Sequence, residues 1–192
     1  ISFSNFGLYN QSQLFKKRVL CVGSGALGSI VFPYISASGI GTVSICDFDV
    51  IDLTNLHRQI FFNYSSIGLK KSFFLAKKIY NLNIDITLKI LPFRLNLLNV
   101  SNVFSRFDLI IDGSDNFKTK FLINDFCVKF KIPMIYGAIF KYDAQISNFY
   151  NRLGACYKCL YKKYPNEIIP NCSELGTFGP VAGVVASIQS ME

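Results

Sequence analysis

The sequence predicts an α/β fold, a Rossmann-like, mostly parallel sheet with helices on both faces, and three observations support this prediction. Short apolar segments alternate along the chain with segments whose apolar residues recur at helical spacing. A glycine-rich turn separates the first apolar segment from the first helical one. Of the 192 residues, 51% are hydrophobic and 17% are charged, a composition typical of a globular domain.

The elements follow one another in strand–helix order, which indicates a parallel sheet covered on both faces. Apolar runs predict strands at residues 16–22, 42–46, 84–91, 107–111 and 132–138. Helical patterns run from the glycine turn to about residue 38, over 68–81 and 115–130, and onward from Pro180. The alternating segment 145–150 predicts an antiparallel edge strand, and the polar segment 151–179 predicts a crossover loop near the C-terminus.

Length and charge restrict the class of protein. We expect one domain over residues 1–192, trimmed at both ends, because the chain begins at Ile1 and Glu192 interrupts a helical pattern. No apolar run reaches the roughly 18 residues that a membrane span needs, so we expect no membrane partner. The net charge of +8 is spread over scattered basic residues, which argues against nucleic acid as a partner. We expect a cytoplasmic protein, or one of an organelle stroma such as a plastid's.

The glycine turn after the first strand predicts a nucleotide site. Gly23 permits a tight turn, Gly25 lets the backbone approach a phosphate, and Gly28 lets the helix pack close to the sheet. Asp47 ends the second strand, where a carboxylate can bind ribose hydroxyls. This pattern occurs in many dinucleotide-binding enzymes and does not identify the nucleotide. A purely structural glycine turn is the alternative.

A second group of polar residues favours a triphosphate over a dinucleotide. Asn55, Arg58 and Gln59 follow Asp47 within a dozen residues, and Lys71 opens the next helix. The negative charge of a triphosphate must be balanced before a nucleophile can approach, and arginine and lysine can balance it. Hydride transfer in a dehydrogenase does not need this set. The alternative is a solvated polar loop.

The whole chain resembles the ThiF/MoeB/HesA proteins, the prokaryotic relatives of ubiquitin-activating enzymes. Six segments carry the resemblance in order and spacing: CVGSGALGS, DFDVIDLTNLHRQIFF, GLKK, DGSDN, CYKCL and NCSELGTFGPVAGV. The resemblance implies that the chain transfers AMP from ATP to the C-terminal Gly-Gly carboxylate of a ubiquitin-like sulfur-carrier protein. The resemblance also implies that this carrier is ThiS-like or MoaD-like, for thiamine thiazole or molybdopterin synthesis, and that the protein forms a homodimer.

The resemblance also assigns roles to residues of the site. It implies that Asp47 holds the ribose and that Asp115, with Asn116 beside it, binds the nucleotide and Mg²⁺ at the α-phosphate. The triphosphate would contact Asn55, Arg58, Gln59 and Lys71. The attacking carboxylate is already ionised, so catalysis is electrostatic, through Arg58, Lys71, Asp115 and Mg²⁺, and needs no general base. Asp115 as a simple helix cap is the alternative.

The six cysteines fall into different environments. Cys21 and Cys46 lie in strand patterns and are expected in the core. Cys156 and Cys159 have the spacing of half a tetrahedral zinc site, and the resemblance implies a structural Zn²⁺ whose second ligand pair lies outside this chain. A redox pair is the weaker alternative. By resemblance, Cys172 has a covalent role in sulfur transfer, with simple packing as the alternative.

Three departures from the family pattern stand out. Ala26 replaces a usual glycine, and Lys120 stands where an arginine usually follows the DN motif, which keeps the charge and loses the planar fork. The family's N-terminal arginine motif would lie before Ile1. The alternatives to the sulfur-carrier function are a non-catalytic or different-substrate member of the same family and, less favoured, an NAD-dependent oxidoreductase.

Overall fold

The computed structural model describes residues 6–150, 152, 154–162 and 176–192. In this part of the chain, six strands form one sheet in the order β3-β2-β1-β4-β5-β6. The strands are β1 (Arg18–Val22), β2 (Thr42–Cys46), β3 (Thr87–Leu91), β4 (Leu109–Asp112), β5 (Met134–Phe140) and β6 (Asp143–Phe149). The strands β1 to β5 pair in parallel, and β6 is antiparallel to β5. The predicted fold class is confirmed, and the strand order reverses between β1 and β4.

Helices cover both faces of this sheet. Those of the described residues are α1 (Gly7–Phe15), α2 (Gly28–Ala37), α3 (Lys71–Ile79), α4 (Val100–Phe104), α5 (Phe117–Phe130), α6 (Tyr157–Leu160) and α7 (Gly179–Met191). One core cluster joins α2, α3 and α7 to one face, and a second joins α4 and α5 to the other. None of these helices is both long enough and apolar enough to span a membrane.

Strand β1 shows why the apolar runs are continuous rather than alternating. Val19 and Cys21 belong to one core cluster, and Leu20 and Val22 belong to the other. Successive side chains of a strand point to opposite faces, so a central strand is buried on both sides. Cys21 and Cys46 are buried as predicted, and burial raises the pKa of the Cys46 thiol to about 12.

Some element bounds differ from the sequence prediction for local reasons. The strand predicted from residue 84 begins at Thr87, because the Asn83 side chain accepts the Asp85 N–H at 3.1 Å and holds a turn there. Strand β5 extends to Phe140, and Lys141, with φ of 53°, turns the chain directly into β6. Helices α1, α4 and α6 were not predicted. Most of the predicted crossover loop 151–179 lies outside the described residues.

Candidate active site

A cavity of about 640 Å³ opens at the carboxyl ends of the parallel strands, beside the β1–β4 reversal. Ligand sites of open α/β sheets lie at this position, and the volume is typical of a small-molecule site. Nine residues predicted from the sequence line it: Gly23, Gly25, Asp47, Asn55, Arg58, Gln59, Lys71, Asp115 and Asn116. The structure therefore places these residues, predicted to bind a nucleotide, around one cavity. The role of each residue remains a prediction.

The glycine turn leaves no room for side chains at two of its three positions. A Cβ on Gly28 would lie 1.8 Å from the carbonyl oxygen of Gly23, so only glycine lets α2 start this close to β1. Gly23 has φ of 93°, and its Cβ would lie 2.7 Å from the carbonyl oxygen of Gly113. Gly28 does not line the cavity, which fits its predicted packing role. Gly25 does line it, as expected for close backbone approach.

Asp47 is held in place by donors from two loops. Its Oδ2 accepts hydrogen bonds from the backbone N–H and the hydroxyl of Ser24, each at 2.6 Å, and its Oδ1 accepts the Asp49 N–H at 2.7 Å. A carboxylate offers about four acceptor positions, so about one remains for a ribose hydroxyl. Ser24 is fully buried and was not among the predicted site residues. Its hydroxyl fixes the carboxylate against the glycine turn.

Arg58 is buried and held by its own loop. Its Nη2 donates to Oδ1 of Asn55, its Nη1 donates to the Thr54 carbonyl oxygen at 3.4 Å, and His57 Nε2 lies 3.2 Å from Nη1. The short 3₁₀ helix Leu53–Asn55 brings Asn55 back over Arg58. Asn55 therefore orients the guanidinium as well as lining the cavity. His57 thus contacts the guanidinium of the next residue.

Lys71 forms the first turn of α3 and is nearly buried. Its Nζ lies 3.2 Å from Oδ2 of Asp49, and its backbone N–H donates to the Asp49 carbonyl oxygen at 3.0 Å. The Asp49 side chain is half-exposed, so this ion pair lies at the edge of the cavity. A cation held by one surface carboxylate keeps N–H groups for an incoming phosphate.

The loop after β4 presents Asp115 to the cavity. The helical pattern from residue 115 predicts that Asp115 starts the helix. In the structure α5 begins at Phe117, and its N-cap is Asn116, whose side chain accepts the Thr119 N–H at 2.9 Å. The capping alternative for Asp115 is therefore wrong. The Asp115 carboxylate is exposed, and Asn116 Nδ2 donates to its Oδ1 at 3.3 Å.

A buried ion pair beneath this loop was missed by sequence reasoning. Lys120 Nζ lies 3.0 Å from Oδ2 of Asp112 and donates to the Gly137 carbonyl oxygen at 2.9 Å. Asp112 Oδ1 accepts both the backbone N–H and the hydroxyl of Ser114. The sequence showed that Lys120 replaces an arginine usual in the family, but it did not predict that Lys120 pairs with Asp112, eight residues earlier. The pair joins β4, β5 and α5 at the cavity floor.

The wall formed by β5 and β6 was also missed. Gln145 lines the cavity together with Tyr136 and Tyr161, and its Oε1 accepts both tyrosine hydroxyls. Two buried polar atoms of other cavity residues, Oε1 of Gln59 and Oγ1 of Thr177, have no hydrogen-bond partner among the described residues. Buried polar atoms are nearly always paired in folded proteins, so these two atoms are candidate hydrogen-bond partners for a ligand in the cavity.

Cys156 and Cys159 lie outside the cavity lining, at the N-cap of α6 and within α6, which packs against α5. Their sulfurs are 3.7 Å apart. Burial raises the pKa of Cys156, but hydrogen bonds from Cys159, Lys158 and Asn124 outweigh it, so the pKa lies below the usual thiol value. No group of three or more potential metal ligands occurs within the part of the chain that the structure describes. Cys172 lies outside those residues.

The fold and the site define a Rossmann-like α/β domain with a nucleotide-type glycine turn and a cationic cavity at its switch point. The chain belongs to the ThiF family, whose model matches residues 1–192. The resemblance drawn from the motifs is thereby confirmed.

Curated relatives are named as adenylyltransferases. A sulfur carrier protein adenylyltransferase of Thermus thermophilus is 34% identical over 192 residues, covering 97% of this chain and 71% of that protein. A probable molybdopterin-synthase adenylyltransferase of Porphyra purpurea is 37% identical over 187 residues, covering 96% of this chain and 49% of that protein. The chain spans about half the length of several of its curated relatives.

Solved structures show the same fold. The E. coli protein MccB, crystallised with ATP, has a TM-score of 0.77 and 22% identity, covering 94% of this chain and 56% of that chain. MccB with SeMet MccA has a TM-score of 0.81 and 24% identity, covering 94% and 55%.

Proposed function

We propose that this protein uses ATP to adenylate the C-terminal Gly-Gly carboxylate of a small ubiquitin-like sulfur-carrier protein. A carboxylate oxygen attacks the α-phosphorus, the bond to the β-phosphate breaks, and pyrophosphate leaves. The main support for this proposal is that four charged residues line one cavity. They are a buried carboxylate beside the glycine turn (Asp47), two buried cations (Arg58 and Lys71) and an exposed carboxylate (Asp115). The names of the curated relatives support this choice of reaction and substrate.

The chain's own groups suit an electrostatic mechanism. Two anions, the carrier carboxylate and the triphosphate, must approach each other, and the charge on the departing pyrophosphate must be stabilised. Arg58 and Lys71 are oriented before any ligand arrives, by Asn55 and by Asp49. Preoriented donors need no rearrangement during the reaction, which increases their effect on the transition state. Asp47 orients the sugar and thereby the α-phosphate.

Magnesium fits the donor set at Asp115. Mg²⁺ prefers carboxylate oxygens together with phosphate oxygens and water. The Asp115 carboxylate is exposed and is not used as a helix cap, because Asn116 has that role. Asp115 would hold this ion, which would supply positive charge near the α-phosphate.

The proposal is tested by ATP–pyrophosphate exchange on the full-length protein, with ThiS-like and MoaD-like carriers offered separately. We expect exchange that depends on one carrier's terminal Gly-Gly and that is lost in Asp115→Ala. The matched control is Asp85→Ala, which removes an exposed carboxylate outside the cavity lining and should leave exchange unchanged. ATP binding without exchange for either carrier would contradict the sulfur-carrier function. The responding carrier also separates thiamine from molybdopterin synthesis.

We further propose that Cys156 and Cys159 are half of a structural zinc site in the full-length protein. Two sulfurs bound at about 2.3 Å to a tetrahedral zinc lie roughly 3.8 Å apart, close to the 3.7 Å seen between these cysteines. The lowered pKa of Cys156 favours the thiolate that zinc requires. The second ligand pair comes from sequence outside this chain.

Zinc analysis of the purified full-length protein checks this proposal. We expect about one zinc per chain in the wild type, a large loss in Cys156→Ser and in Cys159→Ser, and no loss in the neighbouring control Lys162→Ala. Zinc content that survives both serine substitutions would exclude these two ligands.

Homodimer formation is proposed on the resemblance and on one apolar face. Val184, Ile188 and Met191 recur at helical spacing on α7, and all three are exposed. A second copy of the chain is the proposed partner for this face.

Cys172 keeps its proposed covalent role. Its thiolate would attack the acyl carbon of the adenylate and release AMP, leaving the carrier attached as a thioester. Adenylation does not depend on this step. The proposed compartment is the cytoplasm or an organelle stroma, and the five described cysteines, all free thiols, suit a reducing environment.

A further inference from the structure

The β5–β6 wall of the cavity differs in character from the cationic wall. Gln145 lies opposite Ala138 in the antiparallel register, and both residues line the cavity. Tyr136 comes from the same strand as Ala138, and Tyr161 follows α6. The wall therefore presents an amide and two phenols, where the other wall presents Arg58 and Lys71.

The Gln145 amide is fixed by two hydrogen bonds to a single atom. Its Oε1 accepts the Tyr161 hydroxyl at 2.5 Å and the Tyr136 hydroxyl at 3.3 Å. Tyrosine hydroxyls are protonated at neutral pH, burial raises the pKa of Tyr136 further, and its hydroxyl donates to this oxygen. With the oxygen engaged, the two N–H groups of Nε2 have no partner in the described part of the chain. Two donors are thus held at the cavity wall without a protein acceptor.

Charge indicates which part of a carrier tail meets this wall. Asp143 lies two residues before Gln145 on β6 and lines the same cavity, so a terminal carboxylate is disfavoured here and favoured beside Arg58 and Lys71. The residues before the carboxylate offer neutral peptide groups at intervals of about 3.3 Å in an extended chain. A peptide carbonyl oxygen is the acceptor that the Nε2 donors lack. Tyr142, Asp143 and Gln145 are all exposed, which leaves this end open to an incoming tail.

Resting on the function proposed above, we propose that Gln145 binds the backbone of the carrier's C-terminal tail. Its Nε2 donates to a peptide carbonyl just before the terminal carboxylate, and Tyr136 and Tyr161 are positioning residues that hold the amide. Because this contact is to the peptide backbone, it does not depend on the side chains of the tail and can be made to a tail that ends in two glycines. Gln145 then sets the affinity for the carrier without contacting ATP.

Steady-state ATP–pyrophosphate exchange on the full-length protein tests this, with the carrier and ATP varied separately. Gln145→Glu keeps an acceptor oxygen for both tyrosines and removes the donors. We expect it to raise the KM for the carrier about three- to tenfold, the effect of losing one hydrogen bond, with the KM for ATP unchanged. Tyr161→Phe should raise the same KM by less. Asn102→Asp adds the same charge at an exposed site outside the cavity lining and should change neither constant.

The outcomes separate this proposal from the function on which it rests. Carrier-dependent exchange in the wild type with an unchanged carrier KM in Gln145→Glu would overturn the role of Gln145 alone. An equal rise in both KM values would show that Gln145 only supports the fold and would overturn it too. No carrier-dependent exchange in the wild type would overturn both proposals together.

Discussion

Replacing Arg58 with alanine is expected to lower the kcat of ATP–pyrophosphate exchange about 10²–10³-fold, the usual cost of removing one preoriented donor to developing charge. Arg58 is 7% exposed and is held by Asn55 and Thr54, so its guanidinium is fixed before the triphosphate binds. The departing pyrophosphate gains charge in the transition state, and a fixed cation at that point stabilises the transition state more than bound ATP.

Two comparisons make the Arg58 measurement specific. Arg58→Lys keeps the charge and loses the planar fork, so it should restore only part of the rate. Arg106→Ala removes an exposed arginine outside the cavity lining and should leave exchange unchanged. Thermal unfolding of each variant separates lost chemistry from lost structure. A folded Arg58→Ala protein with exchange near the wild-type rate would exclude Arg58 from the reaction.

Local sequence patterns predicted the parts of the site that depend on neighbouring residues. The glycine turn could be recognised because its constraint lies within one strand–helix junction, where Gly28 must pass under the Gly23 carbonyl. Asn55 and Arg58 are three residues apart, so a single turn brings them together. Asp47 and Asp115 follow strands β2 and β4 of one parallel sheet. The carboxyl ends of such strands lie at the same edge of the sheet, so the strand–helix order predicts that these two residues lie there.

The missed parts depend on contacts between distant segments. The Gln145 amide is fixed by Tyr136 from the next strand and by Tyr161 from beyond α6, and no periodicity in the sequence indicates that meeting. Asp112 and Lys120 meet because α5 packs back on β4, and the Gly137 carbonyl from β5 completes the contact. Strand bounds shifted where side chains such as Asn83 hold a turn. Such contacts arise from tertiary packing, which a single sequence does not encode as a pattern.

Removing Asp112 is expected to lower the free energy of unfolding by about 3–5 kcal/mol, because the substitution leaves a buried charge without its partner. The side chains of Asp112 and Lys120 are 0% and 6% exposed, with 3.0 Å between Oδ2 and Nζ. In Asp112→Ala the contacts left to the ammonium group, among the residues that the structure describes, are the Gly137 carbonyl and the face of Tyr136, 4.7 Å from the ring centroid. Neither replaces a carboxylate, so the desolvation of Lys120 is no longer offset.

The exposed pair of Arg18 and Asp108 supplies the control, because it has a similar distance and a different environment. Its atoms are also 3.0 Å apart, but the side chains are 50% and 35% exposed, so Asp108→Ala should cost at most about 1 kcal/mol. Urea unfolding of both variants and of the wild type measures the two differences. Lys120→Arg, which restores the family's usual residue, should keep most of the stability. Equal losses in Asp112→Ala and Asp108→Ala would contradict the argument, since burial is what distinguishes the two pairs.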